Sequence, residues 1–128
     1  MNSLELAIKN ALASGGNSNE ANKAYLEFIK ANFIIPIDKK SAADAPEVLF
    51  LEENGAVFLP AFSDEKYLQN WATEIGDEIQ LLRLSGVDLL KGIGERVNVC
   101  LNLGSEIYKE FNEAEIARMK SMVLKLFK

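Results

Sequence analysis

The sequence is most informative between Asn54 and Trp71, which reads NGAVFLPAFSDEKYLQNW. Asn54-Gly55 is a strong signal for a two-residue β-hairpin, because both residues tolerate the positive φ that a type I′ turn requires. The flanking segments, 48–51 (VLFL) and 56–59 (AVFL), are apolar at successive positions. Such runs are typical of strands that are covered on both faces. We therefore predict a buried antiparallel hairpin.

A helix is predicted directly after this hairpin. Pro60 is expected to end the second strand because proline lacks a backbone N–H. Ser63 or Asp64 can cap the helix by accepting hydrogen bonds from its first free N–H groups. Gly76 can close it in a left-handed conformation. The residues with helical spacing that form its inward stripe are Tyr67, Leu68, Trp71, Ala72 and Ile75.

The other predicted elements follow from periodicity and capping residues. They are helices over 2–12 and from Asn17, strands over 33–37, 79–84 and 96–102, and helices that begin near Ser85 and Asn112. Pro36 places the strand over 33–37 at a sheet edge or a bulge. Together these elements predict one α/β domain over residues 1–128. It has a single mixed β-sheet of about five strands, including the antiparallel hairpin, and about five flanking helices.

The composition excludes several classes of function. The chain has 128 residues and a formal net charge of −5, which argues against a surface for nucleic acid. No apolar run approaches the roughly 20 residues that span a bilayer. The N-terminus lacks the layout of a secretory signal, so we expect a cytoplasmic protein without a membrane partner.

Histidine is absent and Cys100 is the one cysteine. This removes Ser-His-Asp and Cys-His catalysis and the usual zinc sites. Cys100 lies in an alternating strand pattern, where a thiol behaves as a small hydrophobic group. Surface positions and helix caps explain the adjacent carboxylates Glu52-Glu53, Asp64-Glu65 and Asp77-Glu78. We therefore expect no enzyme activity, no metal and no cofactor.

Two segments resemble a known family. The run LPAFSDE from Leu59, continuing to Trp71, is similar to the LP-x-F-[ST]-[SD]-E…W core of the SseB protein N-terminal domain family, named for enhanced serine sensitivity. The run VNVCLNLGS over 97–105 resembles that family's G-[IV]-x-[LI]-N-P-G-S segment, with Leu103 at the position of its proline. A G-x-[DE]-L-L helix at 86–90 and a [FYL]-[IV]-x-P strand at 33–36 match in the same order.

The resemblance covers nearly the whole chain and implies a bacterial α/β domain without accepted catalytic residues. Many family proteins carry a second, C-terminal domain. This sequence ends after its final predicted helix, so it is expected to be a single-domain version. We interpret it as a non-catalytic protein-interaction or accessory module that binds a protein partner or a second copy of itself. The alternatives are a small-ligand-binding protein linked to amino-acid (serine) metabolism and a secretion-associated factor.

Two groups of residues are candidates for binding. Asn98, Asn102 and Ser105 lie at the end of the last predicted strand, where α/β proteins often hold ligands. Turn hydrogen bonding explains such residues equally well. Phe62, Tyr67 and Trp71 are candidates for an aromatic interaction surface. The alternative is that this aromatic stripe is part of the core.

Overall fold

Helices and strands alternate along the part of the chain that the computed structural model describes, residues 2–15, 18–42, 46–73, 78–94 and 96–126. The helices are α1 (Ser3–Ala13), α2 (Ser18–Lys30), α3 (Glu65–Trp71), α4 (Gly86–Gly92) and α5 (Glu113–Leu126). The strands are β1 (Asn32–Asp38), β2 (Leu51–Glu53), β3 (Ala56–Ala61), β4 (Ile79–Ser85), β5 (Val97–Leu101) and β6 (Lys109–Phe111).

The strands form two sheets. One has the order β2-β3-β5-β6, in which β3 and β5 are parallel and the other pairs are antiparallel. The second is the antiparallel pair β1-β4. Isolated bridges from Ile34 to Phe62 and from Ile37 to Val48 join the two. The α/β class and the mixed strand directions are confirmed, while the strands divide into two bridged sheets instead of one.

The predicted hairpin is present, with a shorter first strand, but the prediction that it is buried was wrong, because Phe50, Glu52 and Glu53 are exposed. Asn54 and Gly55 both have positive φ, 52° and 82°, as a type I′ turn requires. β2 begins at Leu51, whereas the sequence predicted a strand over 48–51. The reason is that the chain around Val48 pairs with β1 before it reaches the hairpin.

Pro60 does not end its strand, so this prediction was wrong. β3 continues to Ala61, and Pro60 lies opposite Cys100 in the parallel ladder. Because backbone direction alternates along a strand, the missing N–H of Pro60 lies on the side of β3 that faces β2. The β2 ladder has already ended there at the pair Leu51–Phe58, so no donor is required.

Pro36 is likewise accommodated inside a strand, β1. Its register partner in β4 is Leu81, and all seven residues of β1 are paired in this ladder. The carbonyl of Pro36 accepts from the N–H of Leu49 at 3.2 Å. The backbone polar groups of Pro36 therefore face the segment around Leu49 and not β4. The missing N–H therefore costs no hydrogen bond in the β1-β4 ladder.

The helix starts agree with the predicted caps. Each capping side chain accepts from a backbone N–H in the first turn at 2.8–3.1 Å; they are Asn2, Asp64, Ser85 and Asn112. At the start of α5 the cap is reciprocal, because Glu115 accepts from the Asn112 N–H at 3.2 Å. Three residues predicted for caps and for the α3 stripe, Asn17, Ile75 and Gly76, lie outside the described residues.

The main core lies between the sheets and the four helices α1, α2, α4 and α5. Phe28 is at its centre, with its ring centroid 4.5 Å from that of Phe33 and 5.0 Å from that of Phe111. Gly86 lets β4 and α4 approach α2 closely, since a Cβ there would overlap the carbonyl oxygen of Phe28. The strands supply alternate residues to this core, including Val99 and Leu101 of β5.

Helix α3 covers the opposite face of β1. A second, smaller cluster consists of Ile34, Phe62, Leu68 and Ala72. Ile34 lies on the other side of β1 from Phe33, since neighbouring side chains in a strand alternate. Within the described residues, no helix is long and apolar enough to cross a membrane.

Candidate functional site

The carboxyl ends of β3 and β5 lie side by side, because these strands are parallel neighbours. Beyond them stand Ser63 and Asn102. The N–H of Asn102 donates to the carbonyl of Ala61 at 2.9 Å and extends the ladder by one residue. Asn102 then adopts a left-handed conformation, with φ of 56°, which asparagine tolerates better than most residues.

Asn102 connects the two strand ends through its side chain, which is completely buried. Its Oδ1 accepts from the backbone N–H of Ser63 at 2.9 Å, and its Nδ2 donates to Ser63 Oγ at 3.0 Å. The side-chain amide thus satisfies both the backbone and the hydroxyl of one residue 39 positions away in sequence. It acts as a clamp between the loops that follow β3 and β5.

Glu5 of α1 completes this group and is 4% exposed. Its carboxylate accepts from Ser63 Oγ at 2.9 Å and from Tyr67 Oη at 3.4 Å. Burial, with the nearby Glu5 charge, raises the pKa of Tyr67. We call Glu5, Ser63, Tyr67 and Asn102 the Ser63 cluster. It contains no basic side chain, so hydroxyl donors compensate the carboxylate.

The Ser63 cluster is a closed hydrogen-bond network. The Ser63 hydroxyl accepts from Asn102 and donates to Glu5, so both of its functions are used within the protein. Its members come from α1, α3 and the loops after β3 and β5. The arrangement therefore holds these four elements in place.

Two surface depressions of about 380 and 400 Å³ adjoin the Ser63 cluster, and both are lined by Asn32 and Ser63. Lys30 contributes to the first and Arg83 to the second. Arg83 is paired with Glu65 of α3. Both depressions are open, and polar and apolar atoms line each of them.

The three predicted ligand-binding residues do not converge. Asn98 donates to the carbonyl of Val57 at 3.3 Å, within the parallel ladder. Ser105 Oγ accepts from the N–H of Ile107 at 3.2 Å in the following turn. Of the three, only Asn102 is a member of the Ser63 cluster. Ligand binding by these residues stays a prediction, and each has a partner inside the fold.

The aromatic residues divide between core and surface. Phe62 is fully buried and stacks at 5.5 Å on Trp71. Trp71 and Tyr67 are only half-buried. Of the three, Trp71 and Tyr67 therefore have surface available for a partner.

Cys100 is buried, and its Sγ lies 3.8 Å from Tyr108 Oη. Burial raises the pKa of this thiol, which opposes formation of the reactive thiolate. Among the described residues, no three His, Cys, Asp or Glu side chains are grouped to hold a metal.

The outer edge of β4 is the most distinctive surface of the structure. The N–H of Gly86 donates to the carbonyl of Ala31 at 2.8 Å, and the N–H of Lys39 donates to that of Glu78 at 3.1 Å. These bonds show that even-numbered residues of β4 point their backbone groups toward β1. Backbone direction alternates, so the odd-numbered residues point theirs outward.

Besides Ser85, which caps α4, the outward-facing residues of β4 are Ile79, Leu81 and Arg83. No strand of the described chain pairs with this side. Leu81 is 40% exposed. Its side chain lies on the same sheet face as Ile79, which packs against the smaller cluster under α3. Outward-facing backbone groups and an exposed leucine thus occur along one edge.

The other two sheet edges are protected. β2 and β6 have three residues each, and they carry the charged residues Glu52, Glu53, Lys109 and Glu110. Short length and charge are the usual means by which proteins block unwanted strand pairing. β4 has seven residues and one charge, on Arg83, which Glu65 neutralises.

Sequence reasoning missed three features of this region. It did not identify β6, which is only three residues long. It did not identify Glu5 as part of this site, although its carboxylate reaches Ser63. It identified the strand over 79–84 without its position at an edge, which depends on strand order and has no local signal.

Comparison with known proteins agrees with the motifs. The family model of the SseB protein N-terminal domain matches residues 4–118. No curated protein and no solved structure gives a significant match. The matched range includes the Ser63 cluster and β4. The chain therefore belongs to the SseB protein N-terminal domain family.

Proposed function

We propose that this chain is a non-catalytic module of the bacterial cytoplasm that binds another protein chain through the outer edge of β4. The observation that carries the proposal is the row of outward backbone groups at Ile79, Leu81 and Arg83. A partner that adds a strand here forms main-chain hydrogen bonds without reorganisation of the sheet.

The side chains near this edge support the same function. Leu81 provides an exposed apolar contact next to the backbone groups. The Glu65–Arg83 pair positions a charged group beside them. The proposed interface therefore combines backbone pairing with an apolar anchor and a polar rim.

The absence of enzyme activity is supported by the state of the reactive side chains. The Ser63 hydroxyl is bonded to Glu5 and Asn102, and the Cys100 thiol is buried with a raised pKa. With no histidine in the chain, neither group has the usual general base. These residues are better explained by packing than by catalysis.

Photo-crosslinking in the native host tests the interface. A photoreactive amino acid replaces Leu81 in one variant and Leu124, a 72% exposed leucine on α5, in the control. We expect one dominant adduct from position 81, identified by mass spectrometry, and no such adduct from position 124. Equal or absent adducts at the two positions would contradict the proposal.

A second candidate function is binding of a small anionic ligand beside Ser63. The two depressions that share Asn32 and Ser63 favour it, because Lys30 brings positive charge to the first of them. A thermal-shift series with L-serine, other amino acids and inorganic phosphate tests this function. A thermal shift that is lost in Lys30→Ala and kept in Lys125→Ala would support this function. The absence of a shift with every compound would exclude it.

A further inference from the structure

We infer that the strand which occupies the outer edge of β4 is β4 of a second copy of this chain, in an antiparallel pair centred on Leu81. This inference rests on the proposed function and specifies its partner. The two copies would form a continuous sheet across a two-fold axis.

A second copy fits because of the edges that one copy presents. β2 and β6 are too short and too charged to pair along the seven residues of β4. Pairing of β4 with β4 uses the same edge on both molecules and closes the assembly. Pairing with any other edge would leave a β4 open and lead to further addition.

The composition of β4 favours an assembly in which its outer edge is paired. The segment IQLLRLS contains neither Pro nor Gly and one charged residue, Arg83. Exposed strands with these properties pair readily and promote aggregation. The strand also contains no acidic residue, although the chain carries a net charge of −5. The edge is thus a place where two copies meet without added repulsion.

The direction of the backbone groups limits the register. Outward groups belong to odd-numbered residues, so hydrogen-bonded pairs across the axis must join odd-numbered residues. A pair centred on Arg83 places two like charges directly opposite each other, which is unfavourable. A pair centred on Leu81 joins Leu81 to Leu81 and Ile79 to Arg83.

The Leu81-centred register also accounts for the exposed leucine. Leu81 of each copy is covered by Leu81 of the other, on the face that carries α3. The two Arg83 side chains lie toward opposite ends of the pair, each beside its own Glu65. The register thus buries apolar surface and separates like charges.

Sedimentation equilibrium of the purified protein tests self-association. We expect a monomer–dimer equilibrium in the wild type. Leu81→Lys places two ammonium groups opposite each other and lowers the association constant about tenfold or more. Leu124→Lys makes the same exchange at an exposed site on α5 and leaves it unchanged. Circular dichroism confirms that both variants are folded.

A cysteine variant tests the register. In a hydrogen-bonded antiparallel pair the two Cα atoms are about 5.5 Å apart, which a disulfide can bridge. Mild oxidation of Leu81→Cys is expected to give a covalent dimer, and Leu124→Cys is the control. This test does not depend on the folding of the lysine variant.

The outcomes separate the inference from the function on which it rests. If the wild type is a monomer and the Leu81→Cys variant forms no covalent dimer, the second copy is ruled out as the partner. If position 81 still crosslinks a different protein in cells, the proposed function stands and only the partner changes. If neither experiment gives an adduct, both are wrong.

Discussion

The side-chain amide of Asn102 forms two hydrogen bonds with Ser63, one to its backbone N–H at 2.9 Å and one to its hydroxyl at 3.0 Å. Both residues follow parallel strands, and neither is near the other in sequence. This pair fixes the loops at the carboxyl ends of β3 and β5. It also positions the Ser63 hydroxyl toward Glu5.

Asn102→Ala is therefore expected to destabilise the fold by about 3 kcal/mol. The change leaves the Ser63 N–H without its acceptor, and alanine at positive φ adds strain. Urea unfolding followed by circular dichroism measures the effect. Asn98→Ala is the matched control on the same strand, and its single 3.3 Å bond predicts a loss of about 1 kcal/mol or less.

Asn102→Gly separates the two contributions. Glycine accepts φ of 56° without strain, so this variant loses only the hydrogen bonds. It is expected to be more stable than Asn102→Ala by about 1 kcal/mol. Equal stability of the two variants would show that the backbone conformation at this position carries no strain.

Gly86→Ala is expected to be the most damaging alanine substitution among the described glycines. The new Cβ would overlap the carbonyl oxygen of Phe28 and lie 2.8 Å from that of Ile29. Since backbone atoms cannot move aside locally, α2 and α4 must separate, at a cost of about 3 kcal/mol or more. Thermal unfolding measures this loss.

Gly92→Ala provides the control in the same helix. Nothing lies within 4 Å of the position that the added methyl group would take, and the φ of Gly92 is not positive. Alanine is the better helix former, so this variant is expected to gain up to about 1 kcal/mol. A destabilised Gly92→Ala together with a neutral Gly86→Ala would contradict the packing of α4 on α2.

Alkaline pH is expected to weaken the contact between α2 and α5. Burial and a 2.8 Å hydrogen bond to Glu115 raise the pKa of Tyr25 from 10.0 to about 12. A pKa raised by folding means that the folded state retains the proton longer. The stabilisation is fully present below pH 10 and is lost as the pH rises toward 12.

Tyr25→Phe isolates this dependence from other alkaline titrations. The variant lacks the hydroxyl, so the difference in unfolding free energy from the wild type should shrink by roughly 2–3 kcal/mol between pH 9 and 12. Urea unfolding at a series of pH values measures it. Parallel stability curves would indicate that Tyr25 titrates equally in the folded and unfolded states.

Cys100 is expected to react slowly with thiol reagents in the folded protein. It is buried and its pKa is raised, so the thiolate is scarce and inaccessible. Modification by a chromogenic disulfide should become rapid only in denaturant. Fast modification of the native protein would reopen the question of a reactive thiol.

The amino-acid sequence by itself determined the local elements. Asn54-Gly55 specified the hairpin turn, and Ser85 and Asn112 specified helix starts, because these signals act within a few residues. Alternation in 96–102 identified which side of β5 enters the core. The motifs LPAFS and NLGS identified the family.

Only the tertiary structure decided what depends on strand order and on contacts between distant residues. Pro60 continues its strand because β2 has already ended beside it, and Glu5 reaches Ser63 because α1 packs over the ends of β3 and β5. That no described strand pairs with the outer side of β4 likewise follows from its place beside β1. No periodicity encodes these relationships, since each is set by which surfaces meet when the core closes.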